Sequence, residues 1–138
     1  MYFYRNSLIT LFLCFIDLEI KNLTRKYNSD FNICNYKYFK FDIKYCINKG
    51  VMYGMHKNIP PKKLIGISIL SMLFLILYYH YRIIDILPLL IGSVFNIYDR
   101  FICGYVRDYL YMEIFGFKTN IFNFPDFVIL LNMFLLLF

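Results

Sequence analysis

The chain has 138 residues, 60% of them hydrophobic, 22% aromatic and only 17% charged, with 15 Lys and Arg against 9 Asp and Glu. Soluble domains average about 45–50% apolar residues; here the excess falls in blocks, which excludes an ordinary soluble core and indicates a membrane protein. Ten of the 15 basic residues lie between Lys21 and Lys63 without a helical stripe, a pattern that excludes a nucleic-acid footprint.

The first apolar segment, Leu8 to Ile16, is bracketed by Arg5 and by Asp17 to Lys21. No small-x-small cleavage site follows Phe15, so this segment reads as an uncleaved anchor spanning about residues 5–22. A polar, aromatic-rich stretch over about 23–63 comes next. Its alternation in "YKYFKFDIKYCI" (36–47) predicts short strands, and "KNIPPKK" (57–63) predicts a turn. The abundance of Ile, Asn, Lys, Tyr and Phe matches drift in an AT-rich coding sequence, with an anionic-lipid contact as the alternative account of the basic loop.

The second apolar run, "LIGISILSMLFLILYYHY" (64–81), approaches the ~20 residues that cross a bilayer. The third, over about 83–101, follows almost directly, as a tight hairpin that His80 and Asp85 mark. A second connection (102–123) leads to the last segment, about 124–138. Its apolar run, "DFVILLNMFLLLF", is short for a full crossing at 1.5 Å per residue. The expected fold is therefore an integral membrane, mainly α, four-transmembrane-helix bundle forming one domain, with a small β-like subregion between helices 1 and 2. With four crossings, the 23–63 loop and the 102–123 connection face the same side.

The four cysteines form no CxxC, and His56 and His80 lack ligand-spaced neighbours, so neither a metal nor a cofactor is expected. Cys34 and Cys46 are a possible pair if their loop faces an oxidising compartment. The chemistry gathers in "NIYDRFICGYVRDYLYMEI" (96–114). Asn96, Asp99 and Arg100 are spaced to share one helix face and form one polar patch, within which Asp99 and Arg100 can pair. Asp108 would point the other way on a continuous helix, so a break at Gly104 is expected. Asp126 follows Pro125 at a helix N-terminus, where an acid is favoured. Such charges are costly in lipid and should face a bundle interior or a wet cleft. Lys21 reads as an interface lysine with its stem along the apolar surface.

"NIYDR", "GYVRDYL" and "FNFPD" (122–126) resemble the signature of signal peptidase II, the lipoprotein signal peptidases: N-x-x-D-R, then G-x-V-x-D-F, then F-N-x-A-D. "DLEIK" (17–21) resembles the family's D-x-x-x-K, and "NKGVMYG" (48–54) its N-x-G-x-x-F-G loop. The five motifs occur in order over nearly the whole chain, which looks like a divergent and short member. Phe95, Tyr109 and Pro125 depart from the pattern, and the basic tail expected after the last span is missing.

The resemblance implies an intramembrane aspartic endopeptidase (a hydrolase) that removes signal peptides from diacylglyceryl-cysteine prolipoproteins. It implies Asp108 and Asp126 as the catalytic dyad. Asn96, Asp99, Arg100 and Asn123 become the polar shell around it, with Asn96, Arg100 and Asn123 lining the same cleft, and Asp17, Lys21, Asn48 and Gly50 help to hold substrate. It also implies a monomeric, multi-pass protein of the bacterial plasma (inner) membrane, contacting lipids and lipid-modified precursors, with its site near the extracytoplasmic face. The basic first loop argues for the opposite orientation; the family topology is preferred because longer loops are less sensitive to charge. Two alternatives are a catalytically degenerate relative of the same fold and a small ion or proton pathway lined by Asp85, Asn96 and Asp99.

Overall fold

The helix α1 (Tyr2–Tyr27) is built inside out. Its buried residues are Ser7, Thr10, Cys14, Asp17, Lys21 and Thr24, alternately three and four apart, so they form one continuous stripe. Its large apolar residues point the other way, with Leu8 and Phe12 about two-thirds exposed. Water would not tolerate that arrangement, whereas lipid would favour it. The structure, a computed structural model, describes residues 2–27, 30–50 and 59–137, with the side chains of residues 2–5, 82–85 and 137 left out. Residues 51–54 of the "NKGVMYG" stretch, His56 and the Asp85 side chain therefore lie outside the described residues.

α1 runs about a turn beyond the span expected at 5–22. The strands β1 (Phe31–Tyr36) and β2 (Phe39–Asn48) follow it, as the alternation predicts. Helix α2 (Pro61–Tyr78) opens on a proline, whose missing N–H costs nothing in a first turn. It is apolar all round and only Leu64 is buried. Its serines are satisfied within the helix, Ser68 Oγ donating to the Leu64 carbonyl and Ser71 Oγ to that of Ile67, each at 2.9 Å. A single 3₁₀ turn (His80–Arg82) joins it to α3 (Ile83–Cys103). By length and composition, 61–78 and 86–103 are apolar enough to cross a membrane.

α3 ends where the sequence places the break. Gly104 takes a positive φ of 81° and its N–H closes on the Arg100 carbonyl at 3.0 Å. A residue with a Cβ would be strained there. The chain then leaves as β3 (Val106–Ile114), turns at Phe115 and Gly116 and returns as β4 (Phe117–Lys118). Both turn residues have positive φ, which suits a two-residue hairpin. The sheet is antiparallel throughout, in the order β1-β2-β3-β4. The expected β subregion thus draws half its strands from the second connection, whose strand character the sequence reading did not recognise.

α4 (Phe124–Leu137) completes the fold and packs closely on α3 at Gly92. A Cβ on Gly92 would lie 3.0 Å from the Pro125 carbonyl oxygen, so glycine permits this approach at the first turn of α4.

Candidate active site

β3 carries Asp108 into the interior. Pairing of β2 with β3 sets Cys46 opposite Asp108 and Asn48 opposite Val106, so Asn48 reaches the acid diagonally. Asn48 Nδ2 donates to Asp108 Oδ2 at 3.1 Å, and Asn48 Oδ1 accepts from the Gly50 N–H at 3.1 Å. Asn123 supplies the other contact, its Nδ2 donating to Asp108 Oδ1 at 2.7 Å.

Asn123 also caps α4. Its Oδ1 accepts the Asp126 N–H at 2.9 Å, and its carbonyl accepts the first helical bond from Phe127. One side chain therefore ties Asp108 to the turn that carries Asp126. The 120–123 segment is held in place by backbone pairing of Phe122 with Tyr109 and Leu110. Asn96, three turns into α3, donates to Asp126 Oδ1 at 2.7 Å.

Asp108 and Asp126 line a single cavity of about 250 Å³. Asn48, Arg100 and Val106 share its polar end; Ile121, Phe122, Ile129, Leu130 and Met133 form an apolar wall. Leu130 and Met133 are also exposed on the outer face of α4, so the cavity opens sideways at the bundle surface. Burial, and then the nearby Asp126 carboxylate, push the Asp108 pKa from 3.8 up to about 7, against the lowering effect of the Asn123 and Asn48 hydrogen bonds.

The polar patch expected on α3 is split three ways. Asn96 serves Asp126, and Arg100 donates from Nη2 to the Gly50 carbonyl at 3.2 Å. Asp99 turns away from Arg100 altogether. It binds Arg107 Nη2 at 2.7 Å and Lys21 Nζ at 3.0 Å, and accepts the Arg107 backbone N–H at 3.2 Å. The expected Asp99–Arg100 pair is therefore corrected: the guanidinium that reaches Asp99 comes from the strand, not the helix. Asn96 and Asn123 stand behind the carboxylates as donors rather than lining the cavity, a second correction.

Lys21 is fully buried, which corrects its reading as an interface lysine, and it bridges Asp17 at 2.7 Å and Asp99. Asp17 in turn accepts from Tyr109 Oη at 2.9 Å and from the Phe124 N–H at 3.2 Å. Two acids and two bases thus balance charge in a buried cluster that joins α1, α3, β3 and the start of α4. Asp17 and Lys21, expected to hold substrate, do not line the cavity but sit in this cluster. Sequence reasoning missed Arg107 and Tyr109, although both lie inside the "GYVRDYL" motif. Glu113 is half-buried and accepts from Tyr111 Oη at 3.3 Å. Cys34 and Cys46 are not joined in a disulfide.

Helices that expose apolar side chains and bury charged ones, with two acids on a laterally open cavity, define a membrane enzyme. The family model for signal peptidase (SPase) II matches residues 9–138, and the chain belongs to that membrane-bound family of lipoprotein signal peptidases. A lipoprotein signal peptidase of Aquifex aeolicus (strain VF5) is 30% identical over 132 residues, covering 89% of this chain and 76% of the relative. Two solved bacterial membrane enzymes, determined by the in meso method at 2.3 and 1.9 Å resolution, share the fold. Their TM-scores are 0.79 and 0.72, each at 22% identity, with 96% of this chain covered and 85% and 90% of theirs.

Proposed function

We propose that the protein is an aspartic endopeptidase of the bacterial plasma membrane that cleaves lipid-modified prolipoproteins just before the diacylglyceryl cysteine. The observation that carries this reading is the placement of Asp108 and Asp126 on one cavity, tied together through Asn123 and bounded by an apolar wall that opens to the bundle surface.

Two neighbouring carboxyls that share one proton supply both halves of peptide hydrolysis. With its pKa raised to about 7, Asp108 is the carboxyl taken to hold that proton up to neutral pH, where about half of the molecules still carry it. The ionised partner, Asp126, takes a proton from water as the water oxygen bonds to the scissile carbonyl carbon. Asp108 gives its proton to the carbonyl oxygen, forming a neutral tetrahedral diol. Collapse of the diol breaks the C–N bond. The cysteine nitrogen takes up the proton held by Asp126 and leaves as the amine, while a diol hydroxyl returns a proton to Asp108. Asn96, Asn48 and Asn123 orient the carboxyls, and Arg100 with Gly50 contacts the substrate backbone. Asp17, Lys21 and Asp99 act as scaffold with Arg107.

The four helices cross the bilayer, α4 with local thinning of the lipid around it, since its 14 residues reach only about 21 Å. The sheet stands on the extracytoplasmic side with the site beneath it. A monomer suffices, because every residue assigned here comes from one chain. The test is incubation of purified protein with a diacylglyceryl-modified precursor in detergent. Release of the signal peptide by the wild type but not by Asp108→Asn or Asp126→Asn supports the assignment. A wild type without cleavage, or cleavage by either variant, removes it.

A further inference from the structure

At the end of the sheet remote from Asp108, the two hairpin turns form a surface that the proposed chemistry does not use. Phe39 at the start of β2 pairs with Ile114 at the end of β3, so the turns lie side by side. The Phe115 N–H donates to the Tyr38 carbonyl at 2.8 Å, and the two rings pack with centroids 5.6 Å apart. Even so, Tyr36, Phe115 and Phe117 remain 75%, 72% and 81% exposed. Lys37 and Lys118 flank them and are also exposed. Six strand residues separate Asp108 from this tip, a distance of roughly 20 Å.

Clustered aromatics with lysines suit a membrane–water interface, where ring bodies enter the headgroup layer while hydroxyl and ammonium groups stay hydrated. Two observations favour a lipid surface over a protein partner. First, the tip is continuous with the apolar outer face of α4: a groove there is lined by Lys118 and Thr119 from the hairpin and by exposed Phe127 and Leu130 from the helix. Second, Lys37, Lys40 and Lys118 outnumber the two acids near them, Glu113, which faces Lys118 across the hairpin, and Asp42, which pairs with Lys40 at 3.5 Å, so Lys37 is left as the surplus charge.

We propose that the paired turns are a headgroup-level anchor that docks on anionic phospholipid in the leaflet where α4 begins, holding the sheet, and with it Asp108, at a set depth. The proposal rests on the membrane-spanning reading but not on catalysis.

The chain contains no Trp, so single-Trp variants report without background. Phe117→Trp and Tyr36→Trp, with Leu70→Trp on the exposed face of α2 as reference, are reconstituted into vesicles of phosphatidylcholine alone or with phosphatidylglycerol. Quenching by brominated acyl chains is then compared with quenching by aqueous iodide. The tip variants should be quenched by brominated lipid in the anionic vesicles, and less in neutral ones. Adding Lys37→Glu with Lys118→Glu should cut that quenching at least about twofold, since each basic residue near an anionic surface contributes measurably to binding. Iodide access without lipid quenching at the tip, while Leu70→Trp is quenched, overturns the anchor and leaves the surface to water or a protein. Equal lipid quenching in both vesicles overturns the anionic preference. An unquenched Leu70→Trp refutes the membrane-spanning reading itself and the anchor with it.

Discussion

Asp108→Asn separates the chemistry of this carboxyl from its cost to the fold. Its pKa is raised from 3.8 to about 7, so between those values the folded chain holds a proton that the unfolded chain has lost. Stability therefore falls as pH rises through this window, by about 1.4 kcal/mol per pH unit. Between pH 5 and 8 the loss is roughly 2–3 kcal/mol, most of it below pH 7. An asparagine carries no charge and escapes this penalty. It also accepts only one of the two amide donors, Asn48 and Asn123, that now point at the carboxylate. That mismatch costs about 1–3 kcal/mol at every pH. Relative to wild type, the variant should thus gain roughly 2–3 kcal/mol on going from pH 5 to 8, whatever its fixed offset. Thermal unfolding in detergent at the two pH values reads the difference, and cleavage of a lipidated precursor read in parallel should be lost. A pH-independent difference would mean that Asp108 ionises like an ordinary carboxyl, and the shared-proton argument would fall.

Four further outcomes are expected. Wild-type cleavage should decline as pH rises past about 7, where Asp108 loses its proton; a rate still climbing at pH 9 would refute its role as the acid. Lys21→Met should destabilise the protein by about 3–5 kcal/mol, because it leaves the buried Asp17 with no cationic partner and Asp99 with Arg107 alone. Arg100→Ala should instead lower activity with little change in unfolding temperature, since its bond is to the Gly50 carbonyl and Asp99 keeps its partners; a large stability loss would contradict this. Gly92→Ala should impair cleavage by displacing the first turn of α4, and Gly92→Ser should do so at least equally, as both add a Cβ 3.0 Å from the Pro125 carbonyl.

Apolar runs, five ordered motifs and a glycine at the end of α3 were enough to indicate the membrane class, the family and the helix break, because each is a local property of consecutive residues. Partner choice was not local. Asp99 and Arg100 are adjacent in sequence, yet one residue of rotation on a helix turns Asp99 toward Lys21 and Arg107 while Arg100 reaches Gly50. The second hairpin was hidden for a related reason: "VRDYLYMEI" lacks clean alternation because both faces of the strand are buried at its start, where the adjacent Arg107 and Asp108 point to opposite sides. Lys21 could not be recognised as buried, since a lone lysine near a helix end normally reaches water, and only the arrival of Asp99 from another helix makes its burial tolerable. Sequence by itself determined which residues carry charge and where the chain must turn. Only the tertiary structure decided which charges meet, because pairing across the 78 residues from Lys21 to Asp99 depends on how helices rotate and strands register, and neither is written in spacing along the chain.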